Sequence, residues 1–401
     1  MAAISEAVLI NPPVKIIKGT HAPFVDMKQI EPGNKFVKAA EAREYVNSGS
    51  KFQNGDTLMA RITPCLENGK ISQYKSNDGL PANGSTEFIV FRGKPQVTDN
   101  EFVYYLVTSP EFKSFAIGQM TGTSGRQRVP TDCFSKLDIN LPSFNDQKAI
   151  AAVLGALDDK IELNRQMNAT LEDMAKALFK SWFVDFDPVR AKMAGKQPFG
   201  MDEAAAALFP DHFSPSELGD IPEFWEIGRV SEVLELKYGK ALKSEERKIG
   251  QCPVYGSGGV TGFHNVHLVQ GPGIIVGRKG TVGSIYWEDS DFYPIDTVFY
   301  VAPKSYFTMV YVSSQLKCLG LNNMNTDAAV PGLNRDNVYR LKIVLPPREI
   351  IEAYSSVVTP LKAKAALIKK ESVVLSNIRD CIMPKLISGQ ISALLIDDIS
   401  L

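Results

Sequence analysis

The sequence lacks an excess of charge of either sign, because 44 Lys and Arg residues face 45 Asp and Glu residues in a chain of 401. A strongly basic surface over the whole molecule is therefore excluded, and any surface for a polyanion must be local. The five cysteines are scattered without a CxxC pair. This pattern favours reduced, structural thiols over a disulfide framework or a zinc site.

Long apolar runs are also missing. No stretch reaches membrane-spanning length, and the N-terminal "MAAISEAVLINPPVKII" lacks the basic region and long apolar core of a signal peptide. We therefore expect a cytoplasmic protein that does not contact a membrane. With 44% hydrophobic residues, the chain is long enough for two or more domains, each with its own core.

Residues that resemble catalytic motifs do not assemble into an active site. "NPPV" (11–14) resembles the tetrapeptide with which amino-group methyltransferases hold a flipped base, but Val14 replaces the stacking aromatic and no Gly-rich cofactor loop accompanies it. "GRKGTVG" (277–283) lacks the GK[ST] ending of a nucleotide-binding loop and is typical of β-turns. His264 and His267 have no further ligand at metal spacing, which favours exposed loop histidines. The sequence predicts no catalytic residue and no metal ligand.

What the chain does contain is an internal repeat. "LDINLP" (137–142) returns 204 residues later as "LKIVLP" (341–346), and the same displacement pairs Asp132 with Asp336. Upstream, "GDTLMAR" (55–61) resembles "PGIIVGR" (272–278). A repeat of this length predicts two copies of one unit.

Each copy continues into a predicted long helix. Over 146–181 the apolar positions step alternately by four and three residues, which is the pattern of a coiled-coil seam and corresponds to a helix of about 54 Å. Asn164 and Asn168 lie on this seam and either fix its register or rotate toward solvent. Ser372 and Arg379 are weak points of the second seam. The predicted seam residues are Ile150, Leu154, Leu157, Ile161, Leu171 and Leu178 in the first copy and Leu361, Ile368, Leu375 and Ile382 in the second.

The segments before the helices are short runs of β-branched and aromatic residues broken by Gly, Asn and Asp, such as "STEFIVFRG" (85–93), and they predict strands and turns. Between the copies, a Pro- and Gly-rich stretch with one short helical patch, "MDEAAAALF" (201–209), predicts a linker. Trp225 follows it and is expected to begin the second core.

Nucleic-acid contact is the chemistry that the polar loops favour. "TGTSGRQRVP" (121–130) carries Arg126, Gln127 and Arg128, and Arg offers a planar fork for guanine or phosphate while Gln offers an amide for adenine. Any one such residue is equally well explained as a solvated side chain, but the sets indicate backbone and base-edge contacts. The other members are Arg61, Lys70 and Asn83 in the first copy and Lys240, Lys243, Arg278, Lys279, Asn323, Asn325 and Arg335 in the second.

Several segments of the chain resemble a known family, the specificity subunits of Type I restriction-modification systems. In "LDINLPSFNDQKAIAAVLG", Pro142, Gln147 and Ile150 are similar to the family's strand end followed by a Gln-x-x-Ile helix. The second copy departs from this pattern with Ile351 in place of Gln147, and the first has no counterpart of Trp225. Further similar segments are "FVDFDPVRAKMAG", "ALFPDHF", "ELGDIPEFW", "PVYGSGGVTGFHN", "GRKGTVG", "PIDTVFYV" and "IMPKLISGQI".

The resemblance implies an α+β fold in which two β-rich target-recognition domains are separated by two long antiparallel coiled-coil helices with pseudo-twofold symmetry. Each domain would read half of a split sequence in double-stranded DNA. The expected segments are a first recognition domain at 1–142, a central conserved helix at 143–190, a linker at 191–220, a second recognition domain at 221–346 and a distal conserved helix at 347–401.

The resemblance also implies partners. Two methylation subunits would dock on the helices and bind S-adenosylmethionine to methylate adenine, and restriction subunits would join to translocate and cut DNA with ATP. This chain itself is then expected to bind no cofactor. Two alternatives remain, a methyltransferase with fused recognition domains and a coiled-coil scaffold with no role in DNA binding.

Overall fold

The computed structural model describes residues 2–123, 125–324 and 332–393. The chain divides into two compact units, unit 1 with Met1–Gln166 and Lys369–Leu401, and unit 2 with Met167–Ile368. Both boundaries fall inside long helices, so each unit contains part of each of them.

The strands are short, as the closely spaced turn residues predict. In unit 1 they are β1 (Ala2–Ala3), β2 (Val8–Ile10), β3 (His21–Val25), β4 (Phe36–Val37), β5 (Glu41–Glu44), β6 (Ser50–Phe52), β7 (Thr57–Ala60), β8 (Ile71–Tyr74), β9 (Ala82–Gly84), β10 (Phe88–Gly93) and β11 (Asp138–Ile139). In unit 2 they are β12 (Phe213–Ser214), β13 (Ile221–Pro222), β14 (Glu226–Arg229), β15 (Leu234–Tyr238), β16 (Cys252–Gly256), β17 (Gly259–His264), β18 (Gly273–Gly277), β19 (Ile285–Glu288), β20 (Tyr293–Pro294), β21 (Val298–Pro303) and β22 (Lys342–Leu345).

Two of the helices are far longer than the rest, at 40 residues each, which corresponds to about 60 Å. The helix predicted over 146–181 is confirmed. Among the described residues, no helix combines the length and apolar character needed to cross a bilayer. The α-helices are α1 (Ile4–Ala7), α2 (Asn100–Thr108), α3 (Pro110–Gly118), α4 (Phe144–Phe183), α5 (Asp187–Met193), α6 (Glu203–Ala207), α7 (Val230–Val233), α8 (Met309–Cys318), α9 (Arg335–Tyr339) and α10 (Arg348–Ile387).

The strand order confirms the internal repeat. The main sheet of unit 1 has the order β2-β10-β7-β8-β4, and that of unit 2 has the order β15-β21-β18-β19. The first four strands of unit 1 correspond in order to the four strands of unit 2, and β4 is an additional strand. In the second sheet, β3 pairs antiparallel with β5 and parallel with β9, just as β16 pairs with β17 and β20. A two-stranded pair, β1-β11 or β14-β22, completes each copy. The fold is therefore a duplicated α+β unit.

Each unit has its own core. In unit 1, Phe91, Phe112 and Phe134 pack ring against ring beneath the main sheet, and Met383 and Leu386 of α10 join the same cluster. In unit 2 the core gathers residues from α4, α8, the main sheet and the first half of α10. The last part of the chain thus completes the core that the first part begins.

Gln147, in the first turn of α4, fixes this helix to the loop before α2 and to the segment that precedes α4. It is fully buried, and its amide nitrogen donates to the carbonyls of Val97 (3.1 Å) and Pro142 (2.9 Å) while its oxygen accepts from the backbone nitrogen of Asp99 at 3.0 Å. At the equivalent position of unit 2, Ile351 is also fully buried but packs in the apolar core. The two copies therefore attach helix to sheet by different chemistry.

In unit 1, polar side chains form part of the seam between α4 and α10. Asp158 of α4 is buried and accepts from Nη1 of Arg379 at 2.5 Å, and Asn164 is buried and donates to Glu371 (2.9 Å) and Ser372 (3.3 Å). These pairs make the two helical segments antiparallel within unit 1. Asn164 thus lies on the seam and does not face solvent, and the interpretation of Ser372 and Arg379 as weak points is wrong because both have partners on α4.

The seam of unit 2 is aromatic. Tyr354 of α10 is fully buried and lies against Phe179, Trp182 and Phe183 of α4, with ring centroids 5.1 to 5.9 Å apart. Of the ten predicted seam residues, Ile150, Leu154 and Ile368 are buried and the others are half-buried, so none is exposed. Spacing therefore predicted positions that are buried or half-buried, and their assignment to partner docking stays a prediction.

The predicted linker is more ordered than its composition indicates. It contains the short helix α6, as expected from "MDEAAAALF", but Phe209 is buried in the core of unit 2. Trp225 is also buried there, which confirms that it belongs to the second core. The prolines and glycines of the predicted linker therefore indicate turns within a packed segment.

Candidate nucleic-acid interface

Several candidate residues of unit 1 meet at one edge of its main sheet. Arg61 directly follows β7, and its backbone nitrogen donates to the carbonyl of Glu87 (2.9 Å) while its carbonyl accepts from Val129 (2.8 Å). Lys70 precedes β8 and its carbonyl accepts from Ala60 at 3.0 Å. The loop 121–129 is tied to the same edge through a bridge between Ile62 and Arg128. We call this edge, with Arg61, Lys70, Glu87 and the loop 121–129, the first rim.

Within the first rim, Arg126 and Arg128 have different environments. The Arg128 guanidinium donates to the Glu87 carboxylate through Nε (3.0 Å) and Nη2 (2.8 Å), and these hydrogen bonds raise the pKa of Arg128 above its usual value. Arg126 is exposed, and among the described residues its side chain has no hydrogen-bond or ion-pair partner. Arg128 therefore holds the loop in place, and Arg126 has a free guanidinium.

The equivalent edge of unit 2 is built by the same backbone contacts. Arg278 directly follows β18, its nitrogen donates to the carbonyl of Thr297 (2.9 Å), and its carbonyl accepts from Leu333 at 2.8 Å. Lys279 forms a bridge with Gly332, as Ile62 does with Arg128. We call this edge, with Tyr238, Arg278, Lys279, Thr297 and 332–335, the second rim.

An aromatic side chain organises the cations of the second rim. Tyr238 ends β15 and is 49% exposed. The guanidinium carbon of Arg278 lies 4.9 Å from the centroid of its ring, and that of Arg335 lies 5.1 Å from the same centroid. Planar guanidinium groups stack well on aromatic faces. The rim thus presents two arginines whose guanidinium groups lie over one exposed ring.

The structure places the remaining candidates less uniformly. Lys240, Lys243 and Asn323 are exposed in unit 2, and Gln127 is half-buried in unit 1. Nζ of Lys70 donates to the carbonyl of Met27 at 2.9 Å, so this ammonium already has a protein partner. Asn325 lies outside the described residues.

Asn83 is not on a loop, contrary to the prediction. It belongs to β9, paired with Phe24 and Lys51, and is only 5% exposed. Its short polar side chain in a turn-rich segment was indistinguishable from a loop residue in the sequence.

The residues that resembled catalytic motifs have structural roles. The backbone nitrogen of Asn11 in "NPPV" donates to the Val90 carbonyl at 2.8 Å, and its side-chain oxygen accepts from the Val90 nitrogen at 3.0 Å. His264 is not an exposed loop residue but lies at the end of β17, 8% exposed, where Nδ1 accepts from the backbone of Lys248 at 3.0 Å. His267 is exposed and lies 3.4 Å from Asp291.

Sequence reasoning missed two members of the rims. Glu87 was considered only as part of the strand run "STEFIVFRG", and Tyr238 was not considered. A tyrosine followed by Gly-Lys at a strand end was a usable signal, because aromatic and basic residues together are typical of nucleic-acid surfaces. No local signal pairs Glu87 with Arg128, which is 41 residues away.

A second candidate surface lies on the long helices. In unit 1, Val374 and Ile378 of α10 are 56% and 44% exposed, and their spacing of four places them on one face. Leu163 of α4, in the same unit, is also exposed, at 49%. Exposed aliphatic side chains in a row are typical of protein interaction sites. We call Val374 and Ile378 the α10 stripe.

Comparison with known proteins gives a consistent result. A family model described as the Type I restriction modification DNA specificity domain matches residues 16–173 and 222–377. The specificity subunit of the Type I restriction enzyme HindI from Haemophilus influenzae is 26% identical, over 85% of this chain and 87% of its own length. That of the Type I restriction enzyme MjaIX from Methanocaldococcus jannaschii is 25% identical, over 73% of this chain and 69% of its own.

A solved structure is similar over nearly the full length. The Type I restriction-modification system S subunit from M. genitalium covers 96% of this chain and 95% of its own, with a TM-score of 0.53 at 19% identity. At this identity the likeness shows the fold alone.

Proposed function

The chain belongs to the family of Type I restriction-modification DNA specificity subunits, and we propose that it reads a bipartite double-stranded DNA target, one half with each rim. The resemblance noted in the sequence is confirmed. As a specificity subunit, the chain recognises DNA and is not itself the catalytic component.

The repetition of the rim in both units is the observation that supports recognition of two DNA half-sites. Arg61 and Arg278 hold the same place after equivalent strands, and each is fastened to the neighbouring strand by equivalent backbone hydrogen bonds. Dimeric DNA readers achieve two half-sites with two identical chains. Here one chain carries two rims with different side chains, so the two half-sites need not be palindromic.

The candidate side chains divide into those proposed to contact bases and those proposed to contact phosphates. Arg126 and Gln127 are proposed to contact base edges in the first half-site, because the Arg126 side chain has no partner among the described residues and both residues follow a turn. Basic residues of the rims and the loops beside them are proposed to contact phosphates, which position the protein without reading sequence. These residues are the exposed Lys240, Lys243 and Lys279 and the half-buried Arg61.

The partners are proposed to be methylation and restriction subunits in addition to DNA. The α10 stripe is the surface we assign to a methylation subunit, since it exposes aliphatic side chains that a partner would cover. S-adenosylmethionine and ATP would be bound by those subunits. Partner contacts to phosphates would also explain how a chain with a net charge of -1 serves a polyanion.

Methylation mapping tests the proposed function directly. DNA from a host that expresses the chain together with its methylation subunit is sequenced by a method that detects methyladenine, with a host lacking the chain as control. We expect new methylation in a split motif with a fixed gap. Absence of new methylation, despite a demonstrated complex, would contradict the proposal and favour a scaffold that does not bind DNA.

A further inference from the structure

The Tyr238 side chain is held at the second rim by its contact with the sheet and by the path of the backbone after it. Its ring packs on Phe299 of the neighbouring strand, with centroids 5.0 Å apart, so one face is fixed by the sheet. Gly239 passes so close to the 294–295 backbone that a Cβ there would lie 2.1 Å from the Ile295 carbonyl oxygen. Only glycine fits at that position, and it leaves Tyr238 at the surface.

The two arginines on this ring are held in different ways. Nη1 of Arg278 donates to the Asp296 carbonyl at 3.0 Å, and its guanidinium also lies 5.9 Å from the Phe299 centroid. Arg335 makes no hydrogen bond through its buried Nε, and its guanidinium lies near two rings, 5.1 Å from Tyr238 and 5.6 Å from Tyr339. Arg335 is thus oriented by aromatic rings, and Arg278 is partly engaged by the backbone.

No described carboxylate neutralises either charge. Among the described residues, no Asp or Glu forms an ion pair with Arg278 or Arg335. In the first rim, by contrast, Glu87 neutralises Arg128. Two cations over one exposed ring, with no carboxylate partner in the described part of the chain, favour a local positive potential in a chain that is nearly neutral overall.

We propose that Arg335, stacked on Tyr238 and Tyr339, reads a guanine in the half-site of unit 2 through a bidentate contact to O6 and N7, and that Arg278 contacts a neighbouring phosphate. This inference rests on the proposed function and adds the base, the reading residue and the ring that positions it. A planar guanidinium matches the two acceptors of guanine in the major groove. Fixing its plane before binding reduces the entropy lost on contact.

The test uses the full chain in complex with its methylation subunits. After the target is mapped, binding is measured for a panel of duplexes in which each base pair of both half-sites is replaced in turn. We expect Arg335→Lys, which keeps the charge but loses the fork, to reduce discrimination on the order of 10- to 100-fold at a single G·C pair in one half-site. Arg278→Ala should weaken binding to all sequences and lower its dependence on salt.

A chemical substitution in the DNA identifies the contacted atom. Replacing that guanine by 7-deazaguanine removes N7, so it should weaken the wild-type complex but have little further effect on the Arg335→Ala complex. Tyr238→Ala should relax the same position, whereas Tyr238→Phe, which keeps the ring, should retain discrimination. Arg348→Lys is the matched control, because Arg348 lies 5.8 Å from the Tyr306 ring but outside the rim.

The outcomes separate this inference from the proposed function. Unchanged discrimination at every position in Arg335→Lys and Arg335→Ala, with wild-type recognition intact, would overturn the guanine contact alone. A uniform loss across all sequences would make Arg335 a phosphate contact and overturn it equally. Absence of any target for the wild-type complex would instead reject the proposed function. Circular dichroism and complex formation of each variant establish that the protein is folded.

Discussion

At the scale of single residues, the first rim separates two arginines that are only two positions apart. The Arg128 guanidinium is already bound by Glu87, whereas that of Arg126 is free among the described residues. We expect Arg126→Ala to relax recognition at one base pair of one half-site by about 1 to 3 kcal/mol. Binding of the assembled complex to a panel of single-substitution duplexes measures this.

Arg128→Ala provides the comparison for that prediction. Its loss leaves Glu87 without a cation and frees the loop 121–129, so we expect weaker binding to every sequence with no change in preference. A uniform loss for Arg126→Ala as well would assign Arg126 to a phosphate, since phosphate contacts carry no sequence information.

Residues of the rims also show how far sequence reasoning extends. Arg61 and Arg278 were predicted as basic members of the polar loop sets, and the structure places them equivalently, as the alignment of "GDTLMAR" with "PGIIVGR" in the repeat indicates. The stacking of Arg278 and Arg335 on Tyr238 was not predicted, because these residues are up to 97 positions apart and no periodicity connects them. Spacing predicts what lies on one helix or strand, but not which loops meet.

At the scale of secondary-structure elements, the polar seam of unit 1 depends on one buried ion pair. Burial would lower the pKa of Arg379, but Asp158, by its charge and hydrogen bond, raises it above the usual value. Asp158 also accepts from the hydroxyl of Tyr105 at 2.7 Å, which connects the pair to α2. The pair therefore joins three helices.

Removing one member of the ion pair should lower the free energy of unfolding more than replacing both members. We expect Asp158→Asn to destabilise unit 1 by about 3 to 5 kcal/mol, because a buried guanidinium is left without its counter-charge. The double variant Asp158→Leu with Arg379→Met should recover most of this loss. Urea unfolding of the wild type, Asp158→Asn and the double variant measures the difference, and a loss in the double variant as large as that in Asp158→Asn would contradict the prediction.

The α10 segment of unit 2 carries a lysine whose protonation affects stability. Lys362 lies 4.0 Å from the Trp287 ring centroid, and burial, reinforced by the charge of Lys317, lowers its pKa from 10.5 to about 8. Between these pH values the unfolded chain binds more protons at this site than the folded chain does. Stability attributable to Lys362 therefore rises as pH rises from about 8 toward 10.5.

Comparing variants isolates this titration from others. We expect the stability of the wild-type chain, relative to Lys362→Met, to rise between pH 8 and 10.5. The matched control, Lys364→Met on the exposed face of the same helix, should change stability by less than about 0.5 kcal/mol. Parallel pH curves for the wild type and Lys362→Met would contradict the assigned role of burial.

At the scale of the whole molecule, duplication makes the two units alike, whereas the order of their segments along the chain makes them different. The repeat gives two units of the same strand order, each with its own core, yet unit 1 is completed only by the C-terminal end of the chain. Unit 2 is formed from one continuous stretch, 167–368. The two copies are alike in architecture but differ in how their parts are connected.

This difference predicts an asymmetric response to truncation. Deleting 369–401 removes Arg379, Met383 and Leu386, all of which are buried in unit 1, and leaves every residue of unit 2 in place. We expect hydrogen exchange in β7 and β10 to lose most of its protection, because large apolar side chains leave that core and Asp158 loses its counter-charge. Protection in β18 and β21 should remain near that of the full chain. Equal loss in both units would mean that they unfold as one cooperative body, and no loss in unit 1 would show that its core does not depend on α10.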